Sequence, residues 1–168
     1  MGLYPKATNP LELGLPVGPN SNVFYVDPIN GDNDNTGLSP LKPLLTVEAA
    51  YALCTTNQND VVAMIGGPTA DSPAASITWA KDYTHLVGLS GNLQGVGQRC
   101  RVVMEAATAV TPVITVSGDG CIFRNLQFNQ EKATGAASGV AIVTGHRNYF
   151  ENVFFMTPTS QTAASYSL

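Results

Sequence analysis

Two segments of thirteen residues, Val116–Phe128 and Val143–Phe155, align without a gap at a separation of 27 residues. Five positions are identical in the two copies: one valine, one glycine, one asparagine and two phenylalanines. A sequence that repeats every ~20–50 residues is typical of a solenoid, in which each repeat buries its apolar side against its neighbours. Short β-branched and aromatic runs between turn formers favour strands as the repeated element. The repeat therefore predicts an all-β fold, a short parallel β-helix.

A third and weaker copy precedes the two strong ones. The segment 78–89 aligns with the segment 115–126 at an offset of 37 residues, and we expect the extra residues in a loop around Gly91–Gln98. The chain thus carries about three coils. One position of the three copies holds Gly88, Asn125 and Asn152. Glycine and asparagine tolerate a left-handed backbone best, so a structural role at bends is expected, with the asparagines hydrogen-bonded to each other.

Strand-like runs alternate with clusters of Gly, Asn, Asp and Ser. We predict strands at residues 23–26, 61–65, 77–79, 85–89, 102–104, 113–116, 122–128, 140–143 and 149–155. A helix is expected near residues 46–54, because Thr46 is a good N-cap and one apolar face follows it. That face consists of Val47, Ala50, Tyr51 and Cys54. Since an open solenoid end exposes core and strand edges, the helix is predicted to cap the β-helix domain, residues 23–168.

Residues 1–22 are predicted to form an extended arm, because its prolines and glycines interrupt any helix. The arm nevertheless carries more apolar side chains than a purely solvated tail would. They are Leu3, Tyr4, Leu11, Leu13, Leu15 and Val17. We expect these residues to bind a surface, either of the same chain or of a partner, and a disordered end is the alternative.

The last repeat carries apolar residues without polar alternation, Phe154, Phe155 and Met156. Such a run is expected to be buried or to lie between subunits, and we predict that Phe154 and Phe155 bind a partner. The next repeat would begin at residues 166–170, where the sequence stops at Leu168. Either the last strand pairs with a partner, or the natural protein continues. A homotrimer or docking on a larger lattice would cover this end.

The composition argues against several classes of function. Only 12% of the residues are charged, the formal net charge is −4, and no Lys/Arg cluster is present, so nucleic-acid binding is not expected. The N-terminal segment has no long apolar run, so neither a signal peptide nor a membrane anchor is expected. The three cysteines, Cys54, Cys100 and Cys121, lack metal-ligand spacing. They are expected to be buried thiols of a protein made under reducing conditions.

In-register copies place Asp82, Asp119 and His146 at equivalent positions, about 4.8 Å apart on successive coils. This stack is the candidate metal- or sugar-binding group, and local turn formation is the alternative. Arg124 and Glu151 stack in the same way, as a surface ion pair worth at most about 1 kcal/mol.

The segment 32–37 (DNDNTG) resembles the first half of an EF-hand loop, but Pro43 stands where that loop needs a bidentate acid. Turn formation explains these residues, with calcium in an irregular geometry as the alternative. His85 lies in a predicted strand, and we expect its ring to be satisfied by structural hydrogen bonds. The sequence therefore predicts no catalytic residue and no cofactor.

The segment 24–40 (FYVDPINGDNDNTGLSP) and the segment 43–50 (PLLTVEAA) together resemble the opening of right-handed parallel β-helix proteins of the pectin-lyase-like superfamily. In that superfamily a strand and loop of this kind precede a capping helix. The segment 78–88, followed by Gly97–Arg99, resembles structural proteins encoded by tailed bacteriophages. The resemblance covers about residues 23–155. It implies a right-handed β-helix and a family that includes tailspike depolymerases, tail and head appendages and capsid-decorating proteins.

The leading hypothesis is a non-enzymatic virion protein, made in the host cytoplasm, that decorates and cements a bacteriophage capsid. Its partners would be the major capsid protein or other virion proteins. A second hypothesis is the N-terminal part of a tail or head fibre. A third is a tailspike that depolymerises polysaccharide, which requires two acids about 5–10 Å apart in a groove. A carbohydrate-binding module is favoured if Trp79 and Tyr83 are exposed on one face.

Overall fold

A computed structural model describes residues 14–90, 100–105, 112–131 and 139–157. These residues form nine strands and one helix, which confirms the β-rich class. The elements are β1 Val23–Val26, α1 Val47–Leu53, β2 Val61–Met64, β3 Ile77–Trp79, β4 His85–Gly88, β5 Arg101–Met104, β6 Ile114–Val116, β7 Ile122–Gln130, β8 Ala141–Val143 and β9 Tyr149–Met156. Every predicted strand is found, with its ends shifted by at most two residues.

The strands build two parallel sheets. The larger sheet has the order β1-β2-β4-β7, and β7 also pairs with β5 and with β9. The smaller sheet has the order β3-β6-β8. The smaller sheet thus receives one strand from each of the three copies, whereas the larger sheet receives β4 and β5 from the first copy, β7 from the second and β9 from the third. We call β8 and β9 together the last repeat.

The strand register confirms the 27-residue period. Val116 pairs with Val143 in the smaller sheet, and Phe128 pairs with Phe155 in the larger one. The weaker copy also pairs as predicted, because Leu86 lies opposite Phe123 at an offset of 37 residues. The offset falls to 26 residues where β5 meets the second half of β7. The extra residues therefore lie between β4 and β5, where the sequence predicts a loop.

Two asparagines bend the long strands β7 and β9. Asn125 has a φ of 57° and Asn152 a φ of 50°, both in the left-handed region. The side-chain amide of Asn152 donates to Oδ1 of Asn125 at 3.0 Å, and the amide of Asn125 reaches the carbonyl of Gly88 at 3.5 Å. At Gly88 a Cβ atom would lie 2.1 Å from the carbonyl oxygen of Asn125. The predicted structural role of this position is confirmed.

The main core lies between the two sheets and is crossed by a column of aromatic rings. The ring of Trp79 stacks on Tyr51 of α1 at 4.2 Å and meets the edge of Phe123 at 5.5 Å. Phe123 in turn stacks on Phe150 of the last repeat at 4.9 Å. Trp79 and Phe123 are fully buried. The column therefore links the helix to the last repeat through the whole core.

The helix predicted near residues 46–54 is confirmed. The hydroxyl of Thr46 accepts the backbone N–H of Ala49, as an N-cap does. Val47, Ala50 and Cys54 are buried in the main core. A carboxylate oxygen of Asp71 accepts the backbone N–H of Val47 at 3.0 Å. This hydrogen bond links the first residue of the helix to the segment between β2 and β3.

The C-terminal end of the helix is fixed by Lys81, which precedes β4 and carries no sequence signal for this role. The ammonium group of Lys81 donates to the carbonyl oxygens of Tyr51, Ala52 and Cys54 at 2.6–2.9 Å. A cation at this end also interacts favourably with the helix dipole. The hydroxyl of Tyr51 accepts two backbone N–H groups from the turn that contains Lys81. The helix is therefore anchored to β3 by both side chains.

The described part of the arm packs on the outer face of the larger sheet. Leu15 is buried among Tyr25, Ala63 and Val87, and Val17 packs against the same cluster. The surface bound by these two residues is thus the chain's own. The other predicted contact residues, Leu3, Tyr4, Leu11 and Leu13, lie outside the described residues. Because the arm covers the outer face and the core covers the inner face, β2 and β4 are buried on both sides.

The three cysteines are buried thiols, as predicted. Burial raises the pKa of the Cys54 thiol to about 12 and also raises the pKa of Cys100 and of Cys121. All three are therefore protonated and unreactive at neutral pH.

Replacing Asn125 by alanine should lower the free energy of unfolding by about 2–3 kcal/mol, because the side-chain hydrogen bonds are lost and alanine is strained at positive φ. Asn125→Gly loses the same hydrogen bonds without the strain, so a smaller loss of about 1 kcal/mol is expected. Urea denaturation measures both values. Equal losses in the two variants would contradict a bend that needs a left-handed backbone.

Candidate functional site

In the part of the chain that the structure describes, the last repeat leaves core positions uncovered. Val143 continues the buried ladder of Trp79 and Val116 in the smaller sheet, yet it is 46% exposed whereas both of those residues are 0% exposed. Phe155 likewise continues the ladder of Phe128 and is 37% exposed. Each of these two side chains has an apolar neighbour in the preceding repeat, Val116 for Val143 and Phe128 for Phe155, but no such neighbour on its other side among the described residues. Their exposure follows from their position at the end of the stack.

Three further apolar side chains extend this region. Ile142, Tyr149 and Met156 are exposed on the last repeat, Tyr149 to 56%. We call the five residues the end surface: Ile142, Val143, Tyr149, Phe155 and Met156. Phe154, the other predicted partner-binding residue, is half-buried. Because Val143 and Phe155 occupy core-facing positions and the other three occupy the alternate, outward positions of their strands, the apolar exposure of the last repeat is spread over more than one face; exposed apolar side chains make it a candidate binding surface.

Strand edges add backbone groups to the end surface. Within the described residues, β8 pairs with β6 and β9 pairs with β7, each on one side. An unpaired parallel edge offers a row of N–H and C=O groups to another chain. The surface can therefore bind a partner through both apolar burial and backbone pairing.

The opposite end of the stack is closed by the chain itself. Leu44 forms a parallel bridge to Val26 of β1. The N–H of Tyr25 donates to the carbonyl of Gly37 at 2.7 Å, and the carbonyl of Tyr25 accepts from Leu44 at 2.8 Å. The helix α1 packs against β1 and β2 on the core side. Among the described residues the two ends thus differ: the first is covered by a loop and a helix, and the last exposes apolar core positions.

The predicted stack of Asp82, Asp119 and His146 is present, but its carboxylates serve the backbone. Oδ1 of Asp82 accepts the N–H of Asp119 at 2.8 Å, and Oδ1 of Asp119 accepts the N–H of His146 at 2.7 Å. The hydrogen bond from the His146 backbone lowers the pKa of Asp119. The His146 ring is an exposed partner of Asp119 at 3.5 Å. Each carboxylate therefore links one turn to the next, which favours the turn interpretation.

No group of three His, Cys, Asp or Glu side chains among the described residues is placed to hold a metal ion. The loop that resembles half of an EF-hand uses its side chains for turns. Oδ1 of Asp32 accepts the N–H of Asp34, and Oδ1 of Asn33 accepts the N–H groups of Leu45 and Thr46. The amide of Asn35 donates to the carbonyl of Pro43. These contacts explain the polar loop without a cation.

His85 is held by structural hydrogen bonds on both ring nitrogens. Its Nδ1 lies 3.1 Å from the N–H of Ile122 and must accept that bond, so Nε2 carries the proton and donates to Oδ1 of Asn59 at 3.3 Å. Burial lowers the pKa of His85 from 6.5 to about 4. The ring is therefore neutral at physiological pH, and the expectation of a satisfied histidine is confirmed.

A shallow groove lies beside the second half of the larger sheet. It has a volume of about 550 Å³ and is lined by Pro68, Thr69, Ala70, Ser72, Arg101, Val103, Glu105 and Glu131. Glu105 and Glu131 directly follow the paired residues Met104 and Gln130, so they extend from adjacent strands. The guanidinium of Arg101 donates to the carbonyl of Pro68, and its Nε atom is buried without a hydrogen-bond partner. The groove therefore combines two carboxylates with one partly unsatisfied cation.

The groove is not evident from the sequence at the offset of 37 residues that relates β4 to β7. Glu105 and Glu131 are 26 residues apart, an offset that applies only after the insertion between β4 and β5. Continuing the alignment beyond Gly88 with the inserted residues removed would have placed the two acids together.

The condition for carbohydrate binding through Trp79 and Tyr83 is not met. Trp79 is fully buried, and its indole N–H donates to the carbonyl of Thr84. Tyr83 is partly buried, with the guanidinium of Arg147 6.0 Å from its ring centre. These aromatic side chains therefore form no exposed platform.

No protein-family model, no curated protein and no solved structure matches the chain. Among the described residues, the one helix is too short to span a bilayer.

The structure predicts a pH-dependent contribution from His85. Below pH 6.5 the unfolded chain binds a proton at His85 while the folded chain stays neutral, so stability falls from pH 6.5 to about pH 4, by roughly 3 kcal/mol in total. Relative to wild type, the His85→Gln variant should therefore recover stability as the pH falls through this window. Urea denaturation of both proteins at several pH values measures the difference.

Asp71 contributes the opposite slope, because burial raises its pKa to about 7 and its folded form retains a proton that the unfolded form releases above pH 3.8. This contribution is common to both proteins and cancels in the comparison. A constant difference between wild type and His85→Gln from pH 7 to pH 4 would contradict the neutral buried ring.

Proposed function

We propose that the chain is a short right-handed parallel β-helix of about three coils. The in-register parallel ladders at 27 and 37 residues and the asparagine bends support this architecture. Right-handed connections between parallel strands of one sheet are strongly favoured by strand twist, which supports the handedness. The described part of the arm, residues 14–22, and the helix α1 complete the unit.

We further propose that this unit is a non-enzymatic structural protein of a bacteriophage particle, which decorates and cements the capsid. The observation that carries the proposal is the end surface, where apolar core positions are exposed. The partner is the major capsid protein or another virion protein, and the unit itself is a homotrimer. The candidate metal- or sugar-binding residues also support a structural role, because the carboxylates of Asp82 and Asp119 accept hydrogen bonds from backbone N–H groups.

The mechanism is mechanical. A stack of parallel strands with hydrogen bonds along its axis is stiff, and a buried aromatic column resists shear between repeats. Docking the end surface on a neighbouring subunit removes apolar area from water at about 25 cal/mol per Å². A specific interface buries about 800 Å² on each partner, more than five side chains supply, so flanking residues must contribute. Because a shell offers many identical sites, a modest binding free energy at each site adds up over the whole particle.

The test is binding to particles that lack the protein, measured by co-sedimentation, with release of packaged DNA on heating as the second readout. Wild-type protein should bind and raise the temperature of DNA release. Val143→Lys should weaken binding at least about tenfold, because a desolvated charge costs more than 1.4 kcal/mol. Leu41→Lys is the matched control, since Leu41 is 79% exposed at the other end of the stack. Equally stable particles with and without the protein would refute the cement function.

A second candidate function, a fibre or tailspike part that binds or cleaves polysaccharide, is favoured by the groove. Glu105 and Glu131 extend from adjacent strands about 4.8 Å apart, and retaining glycosidases hold their two carboxyl groups ~5–5.5 Å apart.

If this function is correct, Glu105→Gln and Glu131→Gln should each reduce cleavage of host capsule or O-antigen at least about 100-fold, by analogy with the loss of one general acid or base. Glu151→Gln, outside the groove, is the control. Reducing-sugar release measures the rate, and absence of any release by wild-type protein on a panel of host polysaccharides would argue against the enzyme.

A further inference from the structure

Successive repeats are joined at one turn by a ladder of side chains that ends at His146. Oγ1 of Thr56 accepts the N–H of Asp82 at 3.0 Å, and Oδ1 of Asp82 accepts the N–H of Asp119 at 2.8 Å. Oδ1 of Asp119 then accepts the N–H of His146 at 2.7 Å. Each acceptor thus binds the backbone of the repeat that follows it. The His146 side chain is the next member of this ladder, and it is 84% exposed.

The backbone of the same turn forms a second ladder. Its residues all have a φ between 49° and 65°, and they are Asn57, Tyr83, Gly120 and Arg147. The N–H groups of the first three donate to carbonyl oxygens of the next turn at 2.9 Å. Arg147 occupies the same donor position in the last repeat. The turn of the last repeat therefore has the conformation that holds a following turn elsewhere in the stack.

Strand β9 repeats the layout of β7 around its bend. In both strands, apolar side chains lie two residues before the bend and one and three residues after it. They are Phe123, Leu126 and Phe128 around Asn125, and Phe150, Val153 and Phe155 around Asn152. The three pairs are in register across the two strands. Among the described residues β9 pairs with β7 alone, so its other edge offers a new strand the surface that β7 offers to β9.

A strand that pairs along the whole of β9 must follow its bend. β7 meets this condition because Asn125 shares the left-handed backbone of Asn152. On the other side of β7, β4 ends at the bend with Gly88, where a Cβ atom would lie 2.1 Å from the carbonyl oxygen of Asn125. Glycine and asparagine adopt a left-handed backbone at the least cost, whereas a β-branched residue is strained there. The bend therefore discriminates between strands through one residue.

We propose that the last repeat binds its partner by accepting one bent, parallel strand on the open edge of β9, with the motif apolar-x-(Asn or Gly)-apolar-x-apolar. The inference rests on the proposed function, because it names the element by which the virion partner binds. Added strands gain affinity from main-chain hydrogen bonds and specificity from alternate side chains. The three apolar side chains of the motif cover Phe150, Val153 and Phe155, and its bend residue lies opposite Asn152.

The turn adds a contact before that strand. The residue of the partner that continues the ladder of Asp82 and Asp119 presents its backbone N–H to the His146 side chain. A neutral imidazole has one nitrogen that accepts such a hydrogen bond, and a carboxylate accepts it more strongly. His146 is therefore a positioning residue for the added strand, and its replacement by an acid or by a pure donor should change binding in opposite directions.

Binding of a synthetic peptide to the full-length protein tests the strand. The probe is the segment 118–130 (GDGCIFRNLQFNQ), acetylated, amidated and labelled with a fluorophore, with Cys121→Ser to prevent oxidation. Fluorescence anisotropy should show saturable binding. The Asn125→Val peptide should bind at least about tenfold more weakly, because valine is strained at positive φ. The Asn125→Gly peptide should bind more tightly than the valine peptide. Absence of saturable binding, or equal binding of the three peptides, would overturn the proposal.

Variants of the protein test the location of the peptide. His146→Asp should tighten peptide binding about threefold or more, and His146→Lys, which has no acceptor, should weaken it by a similar factor. Thr144→Asp and Thr144→Lys are the matched controls, because Thr144 is exposed on the same turn but lies outside the ladder. The peptide has no net charge, since Asp119 and Arg124 cancel, so the controls should leave binding within about twofold. Equal effects at the two positions would rule out docking through the His146 turn.

Competition on particles separates this proposal from the cement function. Excess peptide should reduce co-sedimentation of the wild-type protein with particles that lack it, and the Asn125→Val peptide should reduce it less. Bend-selective peptide binding by a protein that does not bind particles keeps the strand site and removes the cement function. Binding and stabilisation of particles that excess peptide leaves unchanged keep the cement function and remove the strand site.

Discussion

The stacking of each apolar core residue on its equivalent in the next repeat is the interaction on which this fold depends. Phe123 and Phe150 show it most clearly, since they pair in register and their rings stack at 4.9 Å. A residue in such a column is buried only if a neighbour lies on both sides. Interior core positions are therefore buried by the neighbouring repeats, whereas the core positions at the two ends need another kind of cover.

At the first end the chain supplies special structures. Tyr51 of the helix takes the place of the next aromatic ring, and Lys81 and Asp71 hold the two ends of that helix. Asp71 does so at a cost, because burial raises its pKa, and the half-buried Glu48 beside it has one carboxylate oxygen that is buried without a hydrogen-bond partner. Accepting one buried acid and one half-buried acid to fix a seven-residue helix indicates how strongly an uncovered core is disfavoured. The exposure of Val143 and Phe155 at the last end is significant against that background.

The sequence was sufficient for the strands, the helix and the register, because a repeated core position leaves a repeated residue type. The pairing of Val116 with Val143 could be read directly from the period. A contact made at only one place in the chain leaves no repeated residue type in the sequence. The hydrogen bond from Arg124 to Gly14 joins residues 110 apart, and the adjacency of Glu105 and Glu131 depends on an insertion that breaks the period. The first contact was therefore beyond a reading based on repeats, and the second required the copies to be aligned with the inserted residues removed.

The same period explains why the most conspicuous polar stack is structural. A carboxylate at an equivalent turn of each repeat faces the backbone N–H of the next turn, one strand spacing away, and a hydrogen bond forms at little conformational cost. The polar side chains at these turns are therefore already engaged in hydrogen bonds between repeats. Groups left for recognition must lie where repetition stops: at the insertion, where the groove forms, or at the last repeat, where the end surface is exposed. The location of both candidate sites follows from the interruption of the repeat.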